Sequence, residues 1–276
     1  MGRCTFVPHQ PPQSNRFPGF PQPVSCFTAS VRHTSQHLQR NPIYVGCSGW
    51  AYPSWKPDFY PQKLSPKKLL EHYATRLNSV EVNYTFRSLP SAATVQTWLA
   101  QTGEDFRFSF KAPQRITHIL RLKNCAAELG TFAQAIQPVA DAGRMGLVLF
   151  QLPPNMKADT ERLAAFLGDA AAMKLRLAFE FRNASWFDAA TYRLLEKHGT
   201  ALCVAESDEL ETPDEVTAPF ACYRLRKSEY SEKRLKEISG LLEKRASQGD
   251  VFAYFKHEDE PTGALRAAAV LEGLRR

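Results

Sequence analysis

Eight short strand-like runs, separated for the most part by helix-like stretches, constrain this chain more than any other feature. The runs are IYVG (43–46), SVEVN (79–83), FRFSFK (106–111), GLVLFQ (146–151), LRLAFEF (175–181), ALCVA (201–205), ACYRLR (221–226) and VFAYFK (251–256). A chain that keeps alternating β and α units has two main architectures open to it, a closed (β/α)8 barrel and a doubly wound open sheet. The open sheet often carries a Gly-rich phosphate-binding turn after its first strand. Here Gly46 and Gly49 in GCSGW do not make GxGxxG. The reading is therefore an α/β protein, a (β/α)8 TIM-type barrel in a single domain over residues 42–276.

Helix ends punctuate the pattern. Ser65-Pro66 before KKLLEHYATRL supplies an N-cap followed by proline at the first helical position. Asp159 opens TERLAAFLG, and Gly168 is expected to close it. AATYRLLEKHG ends with Lys197, His198 and Gly199, cations and then a residue suited to a left-handed cap. Leu235, Ile238, Leu241 and Leu242 share helical spacing near 231–247. The connection 206–219, ESDELETPDEVTAP, is too acidic and proline-broken to read as a helix.

Residues 1–41 differ in kind: rich in Pro, Ser and Gln, without acid and without periodicity, they read as a disordered tail. An upstream-misassigned start accounts for them as well as an Arg-rich organelle leader does. Four of the seven net positive charges sit there, as Arg3, Arg16, Arg32 and Arg40, leaving +3 for residues 42–276. That ordinary balance gives no hint of nucleic acid. Six cysteines show neither CxxC nor Cys/His spacing and read as reduced thiols of a cytoplasmic protein. No window approaches the roughly 18 apolar residues of a membrane helix.

The alternation also assigns faces. In LRLAFEFRNASWF (175–187) the odd positions Leu175, Leu177, Phe179 and Phe181 are apolar, whereas Glu180 and Arg182 share the opposite face. In a barrel the apolar face meets the helices and the other points inward. On that logic Phe106, Phe108 and Phe110 face outward, with Arg107, Ser109 and Lys111 inward. Val80 and Val82 likewise leave Ser79, Glu81 and Asn83 inside. In the seventh run either Arg224 and Arg226 or Tyr223 and Leu225 point inward; by analogy with the fifth, the arginines are taken. The last inward residues then gather at the strand C-terminal ends, where barrel active sites sit: Glu81, Asn83, Lys111, Gln151, Glu180, Arg182, Arg224 and Lys256. Burying so many ionisable groups is costly unless they pair or meet a ligand. A self-neutralised network plugging the mouth is the alternative to a binding site.

The loops after these strands add Trp50 and Tyr52 in GWAYPSWKPDFYP, His118 in APQRITHIL, Trp186 in NASW and Tyr230 in YRLRKSEYS. Aromatic groups beside charges suit a planar or sugar-like ligand. Glu180, Glu81, Lys111 and His118 are the candidates for chemistry. Asn83, Arg182, Trp186, Gln151, Arg224, Tyr230, Lys256, Trp50 and Tyr52 are the candidates for substrate contact.

Seven segments, VGCSGWAYPSWKPDFYP, LNSVEVNYTFRSLPSAATVQTW, FRFSFKAPQRITH, LVLFQLPP, FEFRNASWF, YRLRKSEYS and YFKHEDEPTGALRAA, occur in this order between residue 45 and about residue 269. Together they resemble the YecE-like barrel proteins, a domain-of-unknown-function family. The resemblance implies a TIM-type barrel and leaves the activity open. Members commonly carry His where this chain has Asn183, while Glu180, Arg182 and Trp186 fit the pattern.

Three classes of function remain. A small-molecule enzyme acting on a polar, anionic or sugar-like substrate leads; hydrolase, lyase and isomerase are not separable. No cofactor motif is evident. A divalent-metal variant would recruit Glu81, Glu180, Glu206, Asp208 and His257, without HxH or HExxH spacing to support it. Metal-dependent nucleic-acid processing and a non-catalytic ligand-binding barrel are the alternatives. Oligomeric state is not legible.

Overall fold

The computed structural model describes residues 41–208, 210–256 and 260–275. The expected tail therefore lies, but for Asn41, outside the described residues. The eight strands are β1 (Ile43–Cys47), β2 (Ser79–Val82), β3 (Arg107–Lys111), β4 (Met145–Gln151), β5 (Leu177–Glu180), β6 (Ala201–Glu206), β7 (Phe220–Leu225) and β8 (Asp250–Phe255). All neighbouring pairs are parallel, in the order β1-β8-β7-β6-β5-β4-β3-β2. Parallel neighbours need crossovers, and most are helices. These are α1 (Leu69–Arg76), α2 (Ala92–Ala100), α3 (Ala126–Asp141), α4 (Thr160–Ala170), α5 (Ala189–Lys197) and α6 (Glu232–Ala246), with α7 (Thr262–Leu274) following β8. The barrel expected from the alternation is the one observed, and each strand lies within two residues of its run.

Between β6 and β7 no described residue is helical, as the acidic, proline-broken sequence implied. A groove of about 350 Å³ opens there, floored by Val204, Leu225, Ile238 and Leu242. Two expected ends differ. Pro66 opens a 3₁₀ turn, Pro66–Lys68, ahead of α1, and Ser65 makes no side-chain cap. Helix α4 runs through Gly168 to Ala170, because a glycine in a packed helix costs only about 1 kcal/mol. Asp159 does cap α4, accepting from Arg162 N–H at 3.0 Å, and Gly199 takes φ 57° after α5.

The two faces of the sheet make two cores. Outward residues, among them Val80, Val82, Phe108, Phe110, Val148, Phe150, Phe179 and Tyr223, pack under the helices. Inward residues Tyr44, Leu147, Leu149, Ala178, Cys203, Cys222, Phe252 and Tyr254 fill the barrel itself. A buried hydroxyl must find partners, and Tyr254 meets Ser79 Oγ at 2.8 Å and Ser109 Oγ at 2.6 Å. Cys47, Cys125, Cys203 and Cys222 are buried free thiols.

The ring is completed between β1 and β2 by side chains. Val45 N–H donates to Asn78 Oδ1, and Asn78 Nδ2 donates to the Ile43 carbonyl, both at 2.8 Å. The Tyr73 hydroxyl accepts from Cys47 N–H at 2.7 Å and donates to the Ser79 carbonyl at 2.9 Å. Gly46 allows this close approach, since a Cβ there would lie 1.9 Å from Ser79 O.

Candidate functional site

The inner residues change character at the C-terminal ends of the strands, where hydrocarbon gives way to charge. Glu81 of β2 and Glu180 of β5 are buried there, and Arg224 of β7 reaches both. Its Nη2 donates to Glu81 Oε1 at 2.7 Å and its Nη1 to Glu180 Oε2. Ser48 Oγ donates to Glu81 Oε1 at 2.8 Å. Gln151, the register partner of Glu180, donates to Glu180 Oε1 at 2.8 Å, and Arg182 Nε donates to the same oxygen at 3.0 Å. Ala205, the register partner of Arg224, presents only a methyl group and leaves space beside the guanidinium.

Proton affinities follow from this geometry. Burial pushes the Glu180 carboxyl up, but Arg224, Arg182 and Arg226 more than reverse it and hold it at about 2. Burial opposes the charge of Arg224, and Glu180 and Glu81 restore it, so it stays protonated throughout. Lys111 is lowered to about 8, first by burial and then by the neighbouring Arg224 charge, with Glu81 and Glu180 compensating only in part. Its ammonium stands 4.2 Å from the centre of the Phe86 ring, a contact that returns about 0.5–2 kcal/mol but accepts no proton. Arg226 is lowered to about 10, again by burial and then Arg224.

His118, in a short π-helical turn over Arg115–Ile119, meets the Phe86 ring edge-on with ring centres 5.0 Å apart. Its Nδ1 pairs with Thr117 Oγ1 at 2.8 Å. Burial and then Lys111, Arg182 and Arg121 lower its proton affinity.

A cavity of about 350 Å³ opens over this charge cluster, lined by Glu180, Arg182, Ala205, Asp208, Arg226 and Lys256 among others. A second, of about 300 Å³, lies at the exits of β1 and β2, lined by Trp50, Tyr52, Asn83, Tyr84 and Trp98. At the mouth, Glu81 Oε2, Asn83 Oδ1, Arg224 Nε and Arg226 Nη1 are buried without a protein hydrogen-bond partner. Buried polar atoms are nearly always satisfied, and at these two donors and two acceptors the described protein atoms leave that hydrogen-bonding capacity unused.

Not every expected contact residue reaches the cavities. Trp186 is fully buried, stacked on Phe181 with ring centres 4.6 Å apart, and its indole N–H is used by the Met156 carbonyl at 2.8 Å. Tyr230 packs on Phe255 and Arg266, and its hydroxyl accepts from Lys227 N–H at 3.2 Å. Both brace loops. Gln151 acts on Glu180.

The residues proposed for a metal variant can be placed only in part. Glu206 points toward α6, paired with Lys227 at 3.0 Å and Arg234 at 3.2 Å, and His257 lies outside the described residues. Among the described residues no group of three His, Cys, Asp or Glu side chains is placed to hold a metal ion.

Ser48 was not singled out by sequence, and Arg226, read as inward with Arg224, was not carried among the candidate contact residues. Continuing the β1 alternation from Tyr44 through Gly46 would have pointed to Ser48, and Arg226 shares the inward face with Arg224. Among the described residues no helix is long and apolar enough to cross a membrane.

Known proteins place this barrel. UPF0759 protein YunF of Bacillus subtilis is 29% identical over 160 residues, covering 54% of this chain and 54% of that protein. UPF0759 protein YecE of Escherichia coli K12 is 37% identical over 111 residues, covering 40% of this chain and 38% of that one. The chain thus spans about half the length, or less, of these curated relatives. The crystal structure of a DUF72 family protein from Thermotoga maritima shares 26% identity and a TM-score of 0.76, covering 86% of this chain and 100% of that one. The family described as "Protein of unknown function DUF72" matches from residue 44 to residue 276, and this chain belongs to it.

Proposed function

We propose that the barrel mouth binds a small anionic, hydroxyl-bearing molecule and that the chain is an enzyme acting on it. The observation that carries this reading is the set of four unpartnered buried atoms: two guanidinium donors, Arg224 Nε and Arg226 Nη1, and two acceptors, Glu81 Oε2 and Asn83 Oδ1. An anionic oxygen satisfies the donors and ligand hydroxyls satisfy the acceptors. The cations Lys111, Arg182, Arg224, Arg226 and Lys256 outnumber the carboxylates Glu81, Glu180 and Asp208 at the mouth, which favours an anion. Glu180, held at about 2, stays ionised at neutral pH and serves to orient Arg224 and Arg182. Lys111, near 8, is the group best matched to moving a proton at physiological pH.

Melting temperatures measured with gluconate, glucuronate and ribose 5-phosphate test the reading. A ligand of the folded state adds about 2.7 kcal/mol at a hundredfold excess over its dissociation constant. Stabilisation that is lost in Arg226→Met and Arg182→Met supports the site. No stabilisation by any of the three, with both variants at least as stable as the parent, marks the charges as a self-contained network instead.

A further inference from the structure

The two mouth carboxylates are committed to a guanidinium. Glu81 Oε1 and Glu180 Oε2 both accept from Arg224, and Glu180 Oε1 accepts from Gln151 and Arg182. Lys111, at the inward-facing end of β3, has no ion-pair partner among the described residues. Its neighbour is the face of Phe86, 4.2 Å from Nζ. The charged groups that act on it are Arg224, Glu81, Glu180 and Arg182, and it in turn acts on His118. A primary amine thus sits half-buried beside the guanidinium–carboxylate cluster over which the cavity opens, with no carboxylate paired to it among the described residues.

We infer that Lys111 is a nucleophile that forms an imine with a small carbonyl compound bearing an anionic group, such as a 2-oxo acid. This deepens the reading of the mouth as a site for small anions and rests on it. The Nζ lone pair adds to the carbonyl carbon to give a carbinolamine. The two amine protons then leave with the carbonyl oxygen as water while the C=N bond forms. Arg224 Nε and Arg226 Nη1, both unpartnered, hold the carboxylate. Glu180 takes no part in the bond changes and positions the guanidinium.

Borohydride trapping with pyruvate and with glyoxylate, followed by peptide mass mapping of the full chain, tests this. The reductant delivers hydride to the imine carbon, so the labelled peptide gains one oxo acid less one water plus two hydrogens. At pH 7 the fraction of amine unprotonated at Lys111 exceeds that of an ordinary lysine by roughly three hundredfold. Labelling should therefore fall on Lys111 far ahead of the exposed Lys67 and Lys123, and rise as pH passes through about 8. Lys111→Arg keeps a cation but removes the primary amine, and should abolish the label while melting as a folded protein.

Absence of the label at Lys111, or equal labelling of Lys67 and Lys123, overturns the inference. Lactate, which carries the carboxylate without the carbonyl, separates the two levels. If lactate raises the melting temperature but pyruvate is never trapped, the imine falls and the anion site stands. If lactate has no effect and nothing is trapped, both fall.

Discussion

Arg224 holds both mouth carboxylates, Glu81 and Glu180, in ion pairs, and Lys111, which feels the same two charges, has no ion-pair partner among the described residues. That division of partners makes one cation structural and leaves the other adjustable. Removing Arg224 strands two buried carboxylates, at a typical cost of about 3–5 kcal/mol. Arg224→Met should lower the melting temperature by about 10 °C, given roughly 2–4 °C per kcal/mol for a chain of this size. In the same variant the proton affinity of Lys111 should rise, readable as slower reductive methylation of Lys111 at pH 8.

Lys111→Met should act in the opposite direction. A lysine lowered from 10.5 to about 8 binds its proton less tightly in the folded chain than in the unfolded one. It therefore weakens the fold below pH 8, and that penalty fades as pH rises toward 10.5. Urea unfolding at pH 7 should show the variant more stable by on the order of 1–2 kcal/mol. At pH 10.5 the difference should vanish.

Glu180 predicts the acid limb of stability. Its folded value, lowered from 4.5 to about 2, means that its contribution is present in full above pH 4.5 and is lost as pH falls through 2. The parent should lose on the order of 3 kcal/mol across that window from this group alone. Glu180→Gln should lack that component, and parallel unfolding curves between pH 2 and pH 5 would remove this account of the acid limb.

The seam between β1 and β2 is the place where small changes should be costly. Asn78→Ala leaves Val45 N–H and the Ile43 carbonyl without their partner, and each stranded group costs about 1–3 kcal/mol. Gly46→Ala places a methyl carbon against the Ser79 carbonyl and should be worse than Asn78→Ala. Melting curves of the two variants give the order directly.

Much of this architecture was legible because the period-two pattern carries two kinds of information at once. Phe106, Phe108 and Phe110 identify a strand and also declare which face meets the helices, so the pattern alone places Lys111 inside. Glu180 was found in the same way, whereas the seventh run left both faces open and Arg224 was taken by analogy with the fifth. Pattern does not report which side chains a loop keeps for itself. Trp186 and Tyr230 are aromatic residues next to the mouth by sequence, yet their polar atoms are already taken by Met156 and Lys227. Nor does it show distance: Glu81 and Glu180 are both candidates for chemistry in the sequence, yet the Arg224 guanidinium stands between them. Gly168 misled for a related reason: propensity marks an end, but burial of Leu167 and Ala170 carries α4 past it.

The side-chain seam also bears on the order in which the chain can assemble. β1 takes its ladder from β8 alone, pairing Ile43 with Val251 and Cys47 with Phe255. During synthesis β1 has no strand partner until β8 has followed it, and the segment around β2 meets it through the side chains of Asn78 and Tyr73, which precede that strand. Contacts of such long sequence separation slow folding. The growing chain must therefore carry an incomplete sheet, with β2 as one edge, until β8 arrives and brings β1 with it.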